Sequence, residues 1–375
     1  MTLIPDWMPN IHPLIVHFPI ALLIVAVFAD LLGLILRRYP WLKTAALWLY
    51  VLGAVGTIAA YLTGKEAAEM VHFPAPAYAV VSTHADLALN TMLFFSIYAL
   101  ARILSAWKKW DRFNSVAIGL LLVAAGGAGL IQQTAERGGE LVFRYGVGTL
   151  NQPKGDANIR ETDESLFSDM IIGENGSWGW KASPAAVRVF SQKFKWLQGN
   201  RDAFDLNFVK TANGISTLKI VSERQNSALI VFGPALTNMQ IKAIVNLDRF
   251  KGRFLLAHHI NNPTTYNFLA VESGKVRLGQ IQNGVVRFLT DDRSFPFSGW
   301  LNIKVVSSNG HYRGYVNDKL IVHGHGSVLK AGQNGLALAG QGQVLIKEID
   351  VQSLDTDKVP MVHMQNMTND ASNRK

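Results

Sequence analysis

The 375-residue chain contains no cysteine. Disulfide frameworks, thiolate nucleophiles and cysteine-ligated zinc or iron–sulfur centres are therefore excluded, and any metal must rest on other donors. Charge is also sparse. Asp, Glu, Lys and Arg supply 17% of residues against a hydrophobic share of 49%, with a mean hydropathy of +0.15. The net charge of +9 is not gathered into a basic block interleaved with aromatics, so nucleic acid is not an expected partner. No Lys or Arg precedes Arg37, and the apolar run before it is too long for a removable signal peptide. That run is expected to remain as a transmembrane helix. The second half lacks what the first half has: no long apolar run follows Ile131.

Four stretches are apolar enough to cross ~30 Å of hydrocarbon, which takes about 20 helical residues. They run over Pro13–Leu36, Thr44–Thr63, Thr83–Leu104 and Ser115–Gln133. Pro13 suits a helix start, and Pro19 should loosen the helix beside His17. The first connection carries Arg37, Arg38 and Lys43, and the third Arg102, Lys108, Lys109 and Arg112. The second holds only Lys65, against Glu66 and Glu69. The positive-inside rule then puts both termini, and the whole second half, outward, in the periplasm or at the cell exterior.

On this topology the ionisable residues gather at the outer face. His12 and His17 begin the first span, and His72 lies in the outer loop. His84 and Asp86 begin the third span, and Glu140, Arg144 and Tyr145 follow the fourth. His17 and His84 each lie near the start of an outer-end-first helix, so a rise of ~1.5 Å per residue puts them at one depth. Facing imidazoles could ligate a haem b iron, a divalent metal or a quinone head group. The alternative is that these histidines cap the bundle through hydrogen bonds to carbonyls. Asp30, near the inner end, is expected to snorkel or to pair with Arg112 or Lys109, and Gly126, Gly127 and Gly129 to allow close helix packing.

The run His12-Pro13-Leu14-Ile15-Val16-His17-Phe18-Pro19-Ile20-Ala21-Leu22, then Thr63-Gly64, His84, and Gly138-Gly139-Glu140-Leu141-Val142-Phe143-Arg144-Tyr145-Gly146-Val147-Gly148 resemble the bacterial membrane family called domain of unknown function 2231. The resemblance covers residues 8 to about 149. It implies a four-helix membrane domain often joined to extracytoplasmic modules, redox modules among them, and no established reaction. Where that family commonly has a histidine before the final Gly-Val-Gly, this chain has Tyr145, which leaves His17 and His84 as the matched candidates.

Residues 149–184 read as a linker, with a short helix near Ser165–Met170. Beyond them the hydrophobic period becomes two-fold, as in strands. Asn283-Gly284 and Asn309-Gly310 supply the positive φ of tight hairpin turns, and many short strands with regular turns argue for an antiparallel sandwich. The order Tyr266-Asn267-Phe268, Gly299-Trp300-Leu301-Asn302-Ile303-Lys304-Val305, Tyr315-Val316-Asn317-Asp318-Lys319 and Gly335-Leu336-Ala337-Leu338 resembles concanavalin-like jelly rolls of the laminin-G type, over residues 190–354. That resemblance implies glycan or protein binding, and in some members glycan hydrolysis. Related glucanases use Glu-x-Asp-x-x-Glu. Here Glu348-Ile349-Asp350-Val351-Gln352-Ser353 ends in serine, so hydrolysis is not expected and no catalytic residue is named. His258 and His259 should lie on opposite faces of a strand, His323-Gly324-His325 is a chelating spacing in a glycine-marked loop, and Met361, His363, Met364 and Met367 are soft donors that suit copper(I).

The fold class expected is multi-domain: an all-α four-helix transmembrane bundle over 1–148, then an all-β antiparallel jelly roll over 185–354 and a polar tail over 355–375. The function expected is an integral membrane protein with an outward His site at His17 and His84, a candidate redox accessory subunit with haem or metal and a membrane redox partner. His12, Asp86, Glu140, Arg144 and Tyr145 would support that site. The alternative is a membrane-anchored protein that recognises glycan or protein, the bundle serving only as anchor.

Overall fold

The computed structural model describes residues 10–71, 73–149, 172–173 and 175–355. His72, the stretch around Ser165–Met170 and the methionine- and histidine-bearing tail lie outside the described residues.

The first span is broken into α1 (His12–Ile15) and α2 (His17–Ile35). Pro19 explains the break: it has no N–H for the Ile15 carbonyl, and its ring crowds that carbonyl. Helices α3 (Trp41–Met70), α4 (Tyr78–Trp107) and α5 (Asn114–Phe143) complete the bundle. Among the described residues these form four spans long and apolar enough to cross a membrane. At 30 residues each, α3, α4 and α5 are about 45 Å long, well beyond ~30 Å of hydrocarbon. The surplus lies mainly at the end of the bundle where α3 ends and α4 begins, opposite the basic connections.

Small residues bring the helices together. A Cβ at Gly53 would fall 2.5 Å from Leu23, and one at Gly127 would fall 2.3 Å from Phe94. Deep between the helices, Arg102 grips Asp30 through two bonds of 2.6 and 2.8 Å, with the guanidinium 5.1 Å from the centre of the Tyr50 ring. Asp30 thus pairs across the bundle with Arg102 on α4 and not with Lys109, while the side chain of Arg112 lies outside the described residues. A bidentate partner one helix away leaves the carboxylate no reason to reach for the surface.

The β half has thirteen strands in one continuous antiparallel network. Three are long: β4 (Ser216–Leu236), β5 (Met239–Asn262) and β13 (Gly332–Ser353). The first half of β5 pairs with β10 (Trp300–Ser308) and the second half with β6 (Thr265–Glu272). The same three strands therefore run through both layers of the sandwich. Where β5 and β13 cross the bend, no side chain fits: a Cβ at Gly252, Gly340 or Gly342 would meet a facing carbonyl at 2.3, 2.4 or 2.1 Å. Between the layers lies one apolar core, with Ile241, Phe254, Leu269, Ile303, Leu336 and Ile349 among its buried members.

Beyond β10, β11 (His311–Val316) and β12 (Lys319–His325) extend one edge. Strand β1 (Trp178–Lys181), inside the stretch read as linker, pairs with β13. Helix α6 (Pro184–Lys193), capped by Ser183, closes the core end with Phe190 stacked 3.9 Å from Phe194.

Removing either partner of the Asp30–Arg102 pair strands a buried charge. Asp30→Ala is expected to destabilise the bundle by about 3–5 kcal/mol, with Asp30→Ala/Arg102→Leu recovering much of it. Unfolding midpoints of the two variants in detergent check this. Equal losses in both would show that the pairing is not what matters.

Candidate functional site

Strands β10 and β11 are buried at almost every position on both faces, although their sequences alternate polar and apolar. The outer face is covered by the surplus length of the helices. Phe73, Ala77, Tyr78, Val81 and Leu141 of the bundle end pack with Val306, Tyr315 and Leu354 of the sandwich. Around this apolar patch the contact is polar. Arg313 Nη1 donates to Ser82 Oγ at 3.1 Å, and His311 Nε2 donates to Asp86 Oδ1 at 3.1 Å. Lys304 Nζ lies 4.5 Å from the centre of the Tyr315 ring and 5.7 Å from that of Tyr78, so two aromatic faces accommodate a buried cation.

At the edge of this junction three imidazoles converge. The two-residue period puts His323 and His325 on one face of β12, and the ladder pairs His311 with His325 across the hairpin. Ring centres are 4.6 Å apart for His311–His325 and for His323–His325, and 5.7 Å for His311–His323. His323-Gly324-His325 thus ends a strand and is not a loop. Desolvation, then Arg313, lowers the basicity of His311, against the pull of Asp86. His323 is lowered to about 3, by desolvation first and then by Arg313 and the neighbouring imidazoles, although part of its ring is open to solvent.

The other expected site residues fall elsewhere. His17 is exposed and its Nδ1 donates to the Pro13 carbonyl at 2.6 Å, so the structure does not bring it to His84. The break at Val16 leaves His17 on the outward side of α2. His12 is the histidine set near His84. His12 Nδ1 meets Thr63 Oγ1 at 3.2 Å and its ring lies against Gly64; His84 Nδ1 donates to the Thr134 carbonyl at 3.0 Å and its ring lies against Gly138. Glu140 is held by Arg137 at 2.7 Å and Arg144 at 2.8 Å, and Arg144 lies over Tyr145 at 5.6 Å. Asp86 leaves the bundle altogether and serves His311.

In the sandwich, Glu348 and Asp350 lie on the face turned toward the bundle, where Lys242 approaches Glu348 at 3.8 Å and Asp350 is buried. His258 and His259 do not alternate: a φ of 51° at His259 turns both rings to one side, their Nδ1 atoms 2.7 Å apart. His259 Nε2 donates to the Thr237 carbonyl at 2.9 Å, so its Nδ1 must accept from His258. Burial lowers the basicity of both, that of His258 the more strongly.

Two adjoining shallow clefts, about 390 and 370 Å³, share Asp248 and Arg249 on the outer face of the sandwich. Asn246, Gln343 and Lys219 line one, and Glu223 and Gln341 line the other. Asn246 pairs with Trp300, six residues along β10 from the docked Val306. At ~3.3 Å per residue this sets the groove about 20 Å from the docking patch.

Residues 8–151 match the family model described as "Predicted membrane protein (DUF2231)". No curated protein matches the chain. The sandwich is similar in fold to a carbohydrate binding module, CBM66, from Bacillus subtilis, at 14% identity and TM-score 0.35 over 43% of this chain and 95% of that one. A protein of unknown function with a galectin-like fold, also from Bacillus subtilis, matches at 10% identity and TM-score 0.35, over 46% and 92%. Bacillus licheniformis β-glucanase matches at 10% identity and TM-score 0.35, over 48% and 100%. Likenesses this distant say nothing of ligand or reaction.

Four imidazoles, His258, His259, His311 and His323, titrate below the ordinary value of 6.5. The unfolded chain therefore binds protons that the folded one resists, and stability falls as pH drops below about 6.5. The melting temperature should decrease steadily from pH 7 to pH 5, and less so in His323→Ala. A melting temperature independent of pH over that range would contradict the assignment.

Proposed function

We propose that the chain is a membrane-anchored recognition protein: the bundle holds the sandwich against the outer membrane surface, and the Asp248–Arg249 groove takes a hydrophilic chain, a glycan strand first of all. The observation that carries this reading is the sealed junction. One outer patch of the sandwich is consumed by the helix ends, while a polar groove remains open about 20 Å further along the same strands. Its planar amide, carboxylate and guanidinium groups suit the paired hydroxyls of a sugar. The groove has no aromatic lining residue, so recognition would run through hydrogen bonds and not through stacking.

Orientation follows the positive-inside rule. The sandwich sits at the end of the bundle opposite Arg37, Arg38, Lys43, Lys108 and Lys109, and by that rule this supports a position outside the cytoplasm. Because the chain has no cysteine, Val285→Cys on an exposed strand gives a single reporter thiol. A membrane-impermeant maleimide is expected to label it in intact spheroplasts, and labelling only after lysis would reverse the orientation.

Binding is read by native electrophoresis of the detergent-purified protein through gels containing neutral or acidic polysaccharides. At least one should retard the protein, and Arg249→Ala, which removes an exposed side chain, should weaken retardation about tenfold, the equivalent of ~1.4 kcal/mol. Free migration through every gel would end this reading.

A further inference from the structure

We propose that His311, His323 and His325 form a three-histidine site for a divalent transition-metal ion, zinc foremost, with Asp86 of the bundle holding His311 from behind and a fourth position left for solvent. The inference stands apart from the groove and would survive its failure.

The carboxylate of Asp86 fixes the tautomer of His311. Because Asp86 accepts from Nε2, the neutral ring keeps its lone pair on Nδ1, and Nδ1 is the atom that faces His323. His311 Nδ1 and His323 Nε2 are 3.4 Å apart. That is long for a hydrogen bond, yet two nitrogens bound tetrahedrally to zinc at ~2.05 Å lie about 3.3 Å from each other. One nitrogen from each of the three rings falls within 4.8 Å of the others. His325 is exposed, so rotation of its side chain can close the remaining gap. The scaffold is stiff where it must be: His311 is 2% exposed, and all three residues lie in paired strands of one hairpin.

Chemistry selects the ion. Three imidazoles without thiolate suit zinc or copper(II) far better than magnesium or calcium, which require oxygen donors. With three protein ligands and His323 and His325 on the solvent side, the fourth place falls to water or an external donor. The site would also tie the two halves together, since its supporting carboxylate comes from α4 and its ligands from β11 and β12.

The test uses the full-length protein in detergent, stripped with a chelator and loaded with zinc(II), then cobalt(II). One zinc per chain is expected after desalting, falling below about a tenth in His323→Ala/His325→Ala. Asp86→Asn should weaken zinc binding about 10- to 100-fold in competition with a chromophoric chelator. Cobalt in the unaltered protein should give the intense visible bands of a low-coordinate ion, which reads the site without any variant. Wild-type protein that retains no zinc, a double variant that retains a full equivalent, or only the weak spectrum of six-coordinate cobalt would each overturn the proposal.

Discussion

The junction between helix ends and sheet governs the rest of the molecule. Helices of about 45 Å overshoot ~30 Å of hydrocarbon, and the apolar surplus at one end cannot be left in water. Val306, Tyr315 and Leu354 cover it. The cover is costly, because Arg313 and Lys304 are taken out of solvent with it, at 4% exposure each. Buried cations are tolerated only with compensation. Here the compensation is specific: Ser82 accepts from Arg313, Tyr315 and Tyr78 turn their faces to Lys304, and Asp86 supplies the nearby negative charge. Such contacts fix one docking geometry, where a purely apolar patch would allow sliding.

That geometry divides the sandwich into used and unused surfaces. The face carrying Lys242, Glu348 and Asp350 points toward the bundle, and there Lys242 approaches Glu348. Further along the same strands the sheet clears the bundle, and the Asp248–Arg249 groove opens there. The imidazole cluster sits on the boundary, partly buried by the junction and partly open.

Much of this was legible in the residues. Four apolar runs, the change of period after Ile131 and the Asn-Gly turns were enough for the fold class. Strand lengths were not, because Gly252, Gly340 and Gly342 look like turn residues although the chain bends there without leaving its ladder. The surroundings of the bundle histidines were not legible: equal depth says nothing about azimuth, and the break before Pro19 leaves His17 exposed while His12 lies near His84. The burial of β10 and β11 was hidden for a different reason. Lys304 and Ser308 alternate as solvent-facing residues should, yet both are buried at the edge that meets the bundle.

The imidazole cluster could have been found by arithmetic on the Asn317-Asp318 turn. Pairing Val316 with Lys319 carries His311 back to the end of β12, beside His323-Gly324-His325. Its link to the membrane half follows from spacing as well. His84 and Asp86 are two apart on α4, hence about 200° apart around the helix, so they cannot serve one site. Ser82 and Asp86 are four apart and share a face, separated by about 6 Å. Arg313 and His311, two apart on β11, share a face at about 6.6 Å. The helix spacing and the strand spacing match, and the structure uses the match, Ser82 meeting Arg313 and Asp86 meeting His311. The carboxylate that looked like a companion of the bundle histidine is therefore turned by helical geometry toward the sheet, where His311 receives it.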